Sequence, residues 1–404
     1  MSVQALHRRT LAVVMASQVF SGAGLAAGVT VGALLAEQMF DTTSLSGLPA
    51  ALFTAGSAAT ALGVGRLSQA LGRRAGLVSG YAAGALGGAG VVLAATLANL
   101  PLLLLSFLVY GAGTATNLQA RYAGADLVAP EGRGRAISSV LVAVTLGAVA
   151  GPNLVAPMGT IAERWGIPAL AGPFLLAAVA YAVAGAVLFA FLRPDPLLVS
   201  RTLPAVETPT TRPGPRFTGS VAAGAVTMVL TQLVMVAVMT MTPVHMQAHG
   251  HDLHATGLVI AVHIAAMYLP SPITGILVDR LGRVPVAVAS GVTLLAAGLV
   301  SATAPSDSVT LLAVALALLG LGWNLGLVAG TAMITDSAPL HSRAKTQGAV
   351  DLCVALAGAG GGIASGMVVA AAGYAALSIG GGVLALAVIP FVARSARRTP
   401  GVTA

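Results

Sequence analysis

The sequence predicts an all-α membrane protein of twelve transmembrane helices in two pseudo-symmetric six-helix bundles. Three observations predict it: a charge-poor composition, basic residues confined to alternate loops, and a repeat at an offset of 210 residues. Of 404 residues, 57% are hydrophobic and 8% charged, with a mean hydropathy of +0.92, where soluble proteins carry about 25% charged residues. A water-soluble globule is excluded. Apolar stretches of about 20 residues or more recur along the chain, the length a helix needs to cross the hydrocarbon core. Gly is abundant (50) and aromatics are scarce (4%), which suits helices that touch through small residues.

Taken in order, the first span, 10–36, follows His7, Arg8 and Arg9. Its flank resembles a signal peptide, but the run is long and lacks a convincing cleavage pattern, so it is read as a retained helix. Spans 45–71, 76–97, 101–127, 136–159 and 168–192 complete an N-terminal bundle, residues 1–192. The stretch 193–218 carries Pro194, Pro196, Pro204, Pro209, Pro213 and Pro215 among its charges and predicts an extended linker. Spans 219–248, 255–278, 284–304, 309–334, 346–372 and 374–393 then form the C-terminal bundle, residues 219–404.

The net charge of +8 is distributed rather than clustered. Arg8 and Arg9, Arg73 and Arg74, Arg133 and Arg135, Arg193 and Arg201, Arg280 and Arg283, Arg343 and Lys345, and Arg394 and Arg397 fall on one set of alternate loops, with Arg164 the exception on the other set. The positive-inside rule places both termini in the cytoplasm and assigns the basic charge to topology and membrane lipid, not to nucleic acid.

The two halves align at a constant offset. Gly65 to Arg73 after span two, including Gly72, matches Gly275 to Arg283 after span eight, including Asp279, Arg280 and Gly282; Asp126 matches Asp336, and Arg133 matches Arg343. The second copy is a complete G-x-L-x-D-R-x-G-R loop, and over the whole chain the pattern resembles the major facilitator superfamily. The resemblance implies alternating access and a gating role for this loop. The first copy departs, with Gln69 where the acidic residue is expected. Gly147, Gly151 and Pro152 in span five are similar to a glycine-proline element of antiporter members; close helix contact and a kink explain the same residues.

Six of twelve methionines and five of seven histidines lie in 228–267. Met228, Met235, Met239 and Met246 are spaced to share one stripe of span seven, and His263 and Met267, four apart, share a face of span eight. If the two spans are antiparallel neighbours, a rise of ~1.5 Å per residue brings M-x-x-x-M and H-x-x-x-M to one depth. Thioethers select Cu(I), and imidazole also suits copper. The alternative is that methionine fills the core and a spanning histidine bonds a neighbouring helix. His245, Met246, His249, His251 and His254 crowd the adjoining outer loop as candidate metal-entry residues, or form a solvated loop without a ligand.

The two motifs together resemble the CcoA-like copper importers (CalT family), inner-membrane proteins that supply copper for cytochrome oxidase assembly. The resemblance implies Met235, Met239, His263 and Met267 as membrane ligands, inward transport of a copper ion, a multi-pass inner (cytoplasmic) membrane location, and a periplasmic copper source and cytoplasmic copper chaperone as partners. No permanently bound cofactor is expected. The family also includes relatives proposed to carry riboflavin, so a vitamin carrier is one rival; a small-molecule or drug exporter is another. Gln18, Phe20, Asn117, Gln119, Gln232, Trp323 and Asn324 are the candidate lining for either. Arg121 and Asp351, charged and inside spans, are candidates for energy coupling or for structural pairing. No nucleophile with a positioned base, phosphate loop or carboxylate dyad argues for an enzyme.

Overall fold

The computed structural model describes residues 2–40, 48–203 and 219–397, which are helices joined by short turns, with no strand among them. The N-terminal half comprises α1 (Val3–Phe40), α2 (Leu48–Leu71), α3 (Arg73–Thr96), α4 (Leu100–Ala125), α5 (Arg133–Asn153), α6 (Val155–Arg164) and α7 (Gly172–Phe191). A short helix, α8 (Pro196–Thr202), precedes α9 (Gly219–Ala248), α10 (Leu253–Tyr268), α11 (Ser271–Leu281), α12 (Arg283–Thr303), α13 (Val309–Ser337), α14 (Arg343–Ala385) and α15 (Val388–Arg397). Among the described residues eight helices are long and apolar enough to cross a membrane, or nine if the bent pair at α5 and α6 is one span. The twelve expected spans map onto these elements because α14 carries two of them. Gly373, at φ 84°, breaks it, a left-handed conformation that costs a residue without Cβ nothing.

Two spans differ from straight rods, and so does the linker from its expected form. Span five bends by 51° into α6, and span eight breaks into α10 and α11 at Leu269 and Pro270, where a proline cannot donate to the preceding turn. The linker is not extended at its start. Asp195 caps α8 by accepting from the Leu197 and Leu198 amides, Pro196 occupies the first turn, and Leu197 is fully buried; cap, proline and anchor together outweigh the expectation of an open chain. The rest of the linker, 204–218, lies outside the described residues.

The chain gathers into two compact units. One takes in Met1–Val128, Ser139–Pro204 and Leu340–Ala355; the other takes in Ala129–Ser138, Ala205–Pro339 and Leu356–Ala404. Each unit therefore includes a short helix start from the opposite half of the sequence.

The first unit is held by a cluster of buried aromatic rings, Phe107, Tyr110, Phe174 and Tyr181, with ring centroids 5.4 to 5.9 Å apart. Its helices approach through glycines: a Cβ on Gly56 would stand 1.7 Å from the Leu108 carbonyl oxygen, and one on Gly147 would stand 1.9 Å from that of Val19. Close packing thus accounts for Gly147. Buried amides tie the same helices together. Gln18 donates to the Asn117 carbonyl (2.9 Å), Asn117 donates to Ser21 (2.7 Å), and Gln119 donates to the Ala61 carbonyl (2.7 Å). In the second unit Asn324 is the equivalent hub, donating to the Met267 carbonyl and Ser271 and accepting from Thr274. Four of the residues expected to line a cavity are spent on these joints, as buried amides must be.

Candidate functional site

α9 and α10 both pack along α13 and touch each other at only a few points. The methionine and histidine motifs are therefore carried by two helices with a common neighbour. On α9, Met228, Met235 and Met246 are buried and Met239 half-buried. The threonines of that helix return their hydroxyls to the preceding turn: Thr227 to Ala223, Thr231 to Thr227 and Thr242 to Val238 at 2.8 Å, and Thr240 to Val236 at 2.6 Å. The helix thus presents sulfur and methyl groups with its threonine hydroxyls satisfied.

His263 on α10 is fully buried. Its Nδ1 lies 2.8 Å from the Leu316 carbonyl oxygen, and a carbonyl only accepts, so Nδ1 carries the proton. Nε2 is left with its lone pair, buried and without a hydrogen-bond partner. The contact depends on Gly320, where an added Cβ would come 2.6 Å from the His263 carbonyl oxygen. Met267, one turn on, is 8% exposed, and its carbonyl is fixed by Asn324. Beside it Trp323 donates to Gln232 at 2.7 Å, and Tyr268 meets the indole edge-on at 5.8 Å.

Two of the outer histidines adjoin and the others have separate surroundings. His245 stacks on Tyr374 (4.3 Å, 14°) and lies 4.3 Å from the ring of His249; His251 bonds the Ser306 carbonyl (2.7 Å); His254 is exposed. Among the described residues no three His, Cys, Asp or Glu side chains converge as a metal-holding group. Tyr374 was not visible as a site residue in the sequence, since its role arises only from packing.

The repeated loops form two matched latches. Arg73 grips Asp126 through Nε (2.7 Å) and Nη2 (3.2 Å), and Arg283 grips Asp336 through Nε (2.8 Å), where Arg133 binds the other oxygen (2.5 Å). Gly72 and Gly282 precede these arginines at φ 96° and 94°, a turn that any Cβ would strain. Gly65 and Gly275 let helix starts approach, since an added Cβ would lie 2.8 Å from the Ala344 carbonyl oxygen and 2.6 Å from that of Gly134. Asp279 accepts from the Gly134 amide (2.8 Å), the Arg135 amide (3.1 Å) and Arg135 Nε (3.2 Å), capping α5; Arg280 is exposed.

Gln69 does the corresponding work in the first copy. Its Oε1 accepts from the Ala344 amide at the start of α14 (2.8 Å), and its Nε2 donates to the Leu340 carbonyl (3.2 Å). An amide oxygen replaces the carboxylate, so the cap is kept without the charge. Two residues that the motif did not reveal support this latch: Gln347 accepts from Arg73 (2.5 Å), and Asp195 accepts from the Arg74 amide (2.7 Å). Arg121 and Asp351 form a fully buried pair at 2.7 Å.

A helical pair of repeats with motif-bearing latches is the architecture of a secondary transporter, not of an enzyme. The chain belongs to the Major Facilitator Superfamily, whose sequence profile matches residues 14–267 and 224–403. It is 58% identical over 407 residues to YdeG of Bacillus subtilis (strain 168), described as an uncharacterized MFS-type transporter, covering 98% of this chain and 94% of the relative. It is 33% identical over 363 residues to the riboflavin transporter RfnT of Brucella anthropi, covering 85% of each. The human organic anion transporter MFSD10 has the same fold, with TM-score 0.75 at 16% identity over 96% of this chain and 99% of that one. This is a multi-pass membrane transporter.

Proposed function

We propose that the transporter imports copper across the inner membrane, with both termini cytoplasmic and with Met235, Met239, His263 and Met267 as successive ligands in an alternating-access cycle. The observation that carries this reading is His263: a buried imidazole whose tautomer is set by Leu316 and whose Nε2 lone pair has no partner. A backbone acceptor on the far nitrogen is how proteins orient a ligating histidine. Neutral thioethers bind Cu(I) and, being weaker than thiolates, release it. His245, Met246, His249, His251 and His254 concentrate the ion at the mouth, the matched latches of Gly65, Gly72 and Arg73 and of Gly275 to Arg283 hold the inner side, and a periplasmic source and cytoplasmic chaperone hand copper on toward cytochrome oxidase assembly.

A second reading, a carrier for riboflavin or a similar planar vitamin, is favoured by the identity with RfnT and by the Tyr268, Trp323 and Gln232 group, which offers rings and an amide on one side of α13. The deciding experiment is copper uptake by cells lacking their own importer and expressing this chain, with riboflavin uptake in parallel. Met235→Ala and His263→Ala are expected to abolish copper accumulation at normal protein level. Copper uptake that is absent in the wild type, or unchanged in both variants, removes the copper site, and entry of riboflavin installs the second reading.

A further inference from the structure

We propose that the furrow between α2 and α3 binds one anionic phospholipid, with an acyl chain lying along the furrow and the phosphate held by Arg66. This rests on the chain being a membrane transporter and not on copper being its cargo. The furrow has a volume of about 720 Å³ and is floored by Ala59, Gly63 and Ala70 on α2 and by Gly80 and Ala83 on α3. A Cβ on Gly63 would meet nothing within 4 Å. From Ala59 to Ala70 the helix rises ~16 Å, which matches one leaflet of a hydrocarbon core ~30 Å thick. Leu71, Leu86 and Leu93 on the same two helices are exposed, as side chains that face a bilayer are.

The repeat supplies an internal comparison. At the offset of 210 residues, Ala59, Gly63 and Arg66 correspond to Leu269, Ile273 and Ile276, all three of them exposed. The second copy presents large apolar side chains to the bilayer; the first is hollowed out and carries a cation at the same place. Helix contact does not demand the hollow, because α2 meets the start of α14 through Gly65, two residues and about 200° around the helix from Gly63. A chain seated in the furrow therefore braces α2 on the side away from the first latch.

Arg66 sets the headgroup. It is exposed, stands five residues before the end of α2, and has neither a hydrogen bond nor an ion pair among the described residues. Those five residues are ~7.5 Å of rise, a depth from which an arginine reaches the headgroup level. Neither α2 nor α3 contains an acidic residue, so a phosphate finds a partner here and the ammonium of a zwitterionic headgroup finds none. A second copy of this chain fits the furrow poorly for the same reason, since two-fold pairing along it sets cation against cation.

Native mass spectrometry of the purified full chain, with phosphatidylglycerol or phosphatidylethanolamine of identical acyl chains added, counts retained lipids and needs no transport cargo. The wild type is expected to retain one phosphatidylglycerol about tenfold more strongly than phosphatidylethanolamine, the size of one charge-assisted pair. Arg66→Gln should erase that preference, Gly63→Leu should fill the furrow and expel both lipids, and Ile276→Ala, at the matching place in the second copy, should change nothing. Phosphatidylglycerol should raise the melting temperature of the wild type and of neither furrow variant, and melts without lipid, expected to coincide, verify that all are folded. Equal retention of the two lipids by the wild type overturns the proposal whatever the variants do. So does retention that survives both Arg66→Gln and Gly63→Leu, or a wild-type dimer that Gly63→Leu dissolves. Absence of copper uptake strikes the substrate reading alone.

Discussion

Asp279→Ala removes the cap of α5, and the structure sets the size of the effect. The Asp279 side chain is 4% exposed, and its carboxylate accepts the Gly134 and Arg135 amides. Hydrogen bonds to a charged group are each worth about 1.5–3 kcal/mol, so taking the lower end for both gives about 3 kcal/mol. The ion pair with Arg135 adds little, because the arginine is 65% exposed and solvent screens it. At about 1.4 kcal/mol per factor of ten, opening at the start of α5 becomes more than a hundredfold easier. Gln69→Ala loses two neutral bonds, to the Ala344 amide and the Leu340 carbonyl, of which only the first, about 1 kcal/mol, holds an amide of the helix start, so opening at the start of α14 should ease by only about fivefold. Amide hydrogen exchange of the full chain in nanodiscs, followed in peptides covering the two helix starts, measures both numbers. Equal increases at the two sites, or no increase at Gly134 and Arg135, would refute the claim that the carboxylate rather than the loop shape secures the second latch.

Three other outcomes are expected. Gly56→Ala should lower the unfolding temperature markedly, because its Cβ would stand 1.7 Å from Leu108 backbone, whereas Gly63→Ala, with nothing within 4 Å, should be neutral or raise it slightly through the helix preference of alanine; thermal melts of the two variants side by side decide this. Asp126→Asn should cost about 3–5 kcal/mol by stranding the buried Arg73, while Asp336→Asn, at a site 24% exposed with two arginines beside it, should cost less and in a salt-dependent way, read from melts at low and high ionic strength. Trp323→Leu should leave copper uptake largely intact, since the indole supplies no ligand, and should abolish riboflavin uptake if that vitamin is the cargo.

Much of the architecture was legible because bilayer thickness forces long apolar runs and duplication leaves a register. The boundary between spans eleven and twelve falls at Gly373 in sequence and structure alike. The bend after α5, the break between α10 and α11 and the helix inside the linker depend on what each segment packs against, which periodicity does not carry. Among the site residues, the sequence singled out His263 but could not show that one ring nitrogen is engaged and the other bare. It overestimated the polar lining, because Gln18, Asn117, Gln119 and Asn324 look like ligand-facing residues until their helix partners are seen. It made the common depth of the two motifs conditional on α9 and α10 being neighbours; they touch at a few points, and α13 is the surface that both share.

Gln69 and Asp279 make the same joint at different strengths. The latch at Gln69 asks for an acceptor oxygen within reach of the Ala344 amide, and an amide meets that geometric demand with a weaker bond than a carboxylate makes. The position asks for geometry first, so one copy holds its helix start with a neutral acceptor and the other with a charged one. The two latches therefore have unequal thresholds for release. Directionality in such a carrier needs no separate element when its two halves let go under different loads.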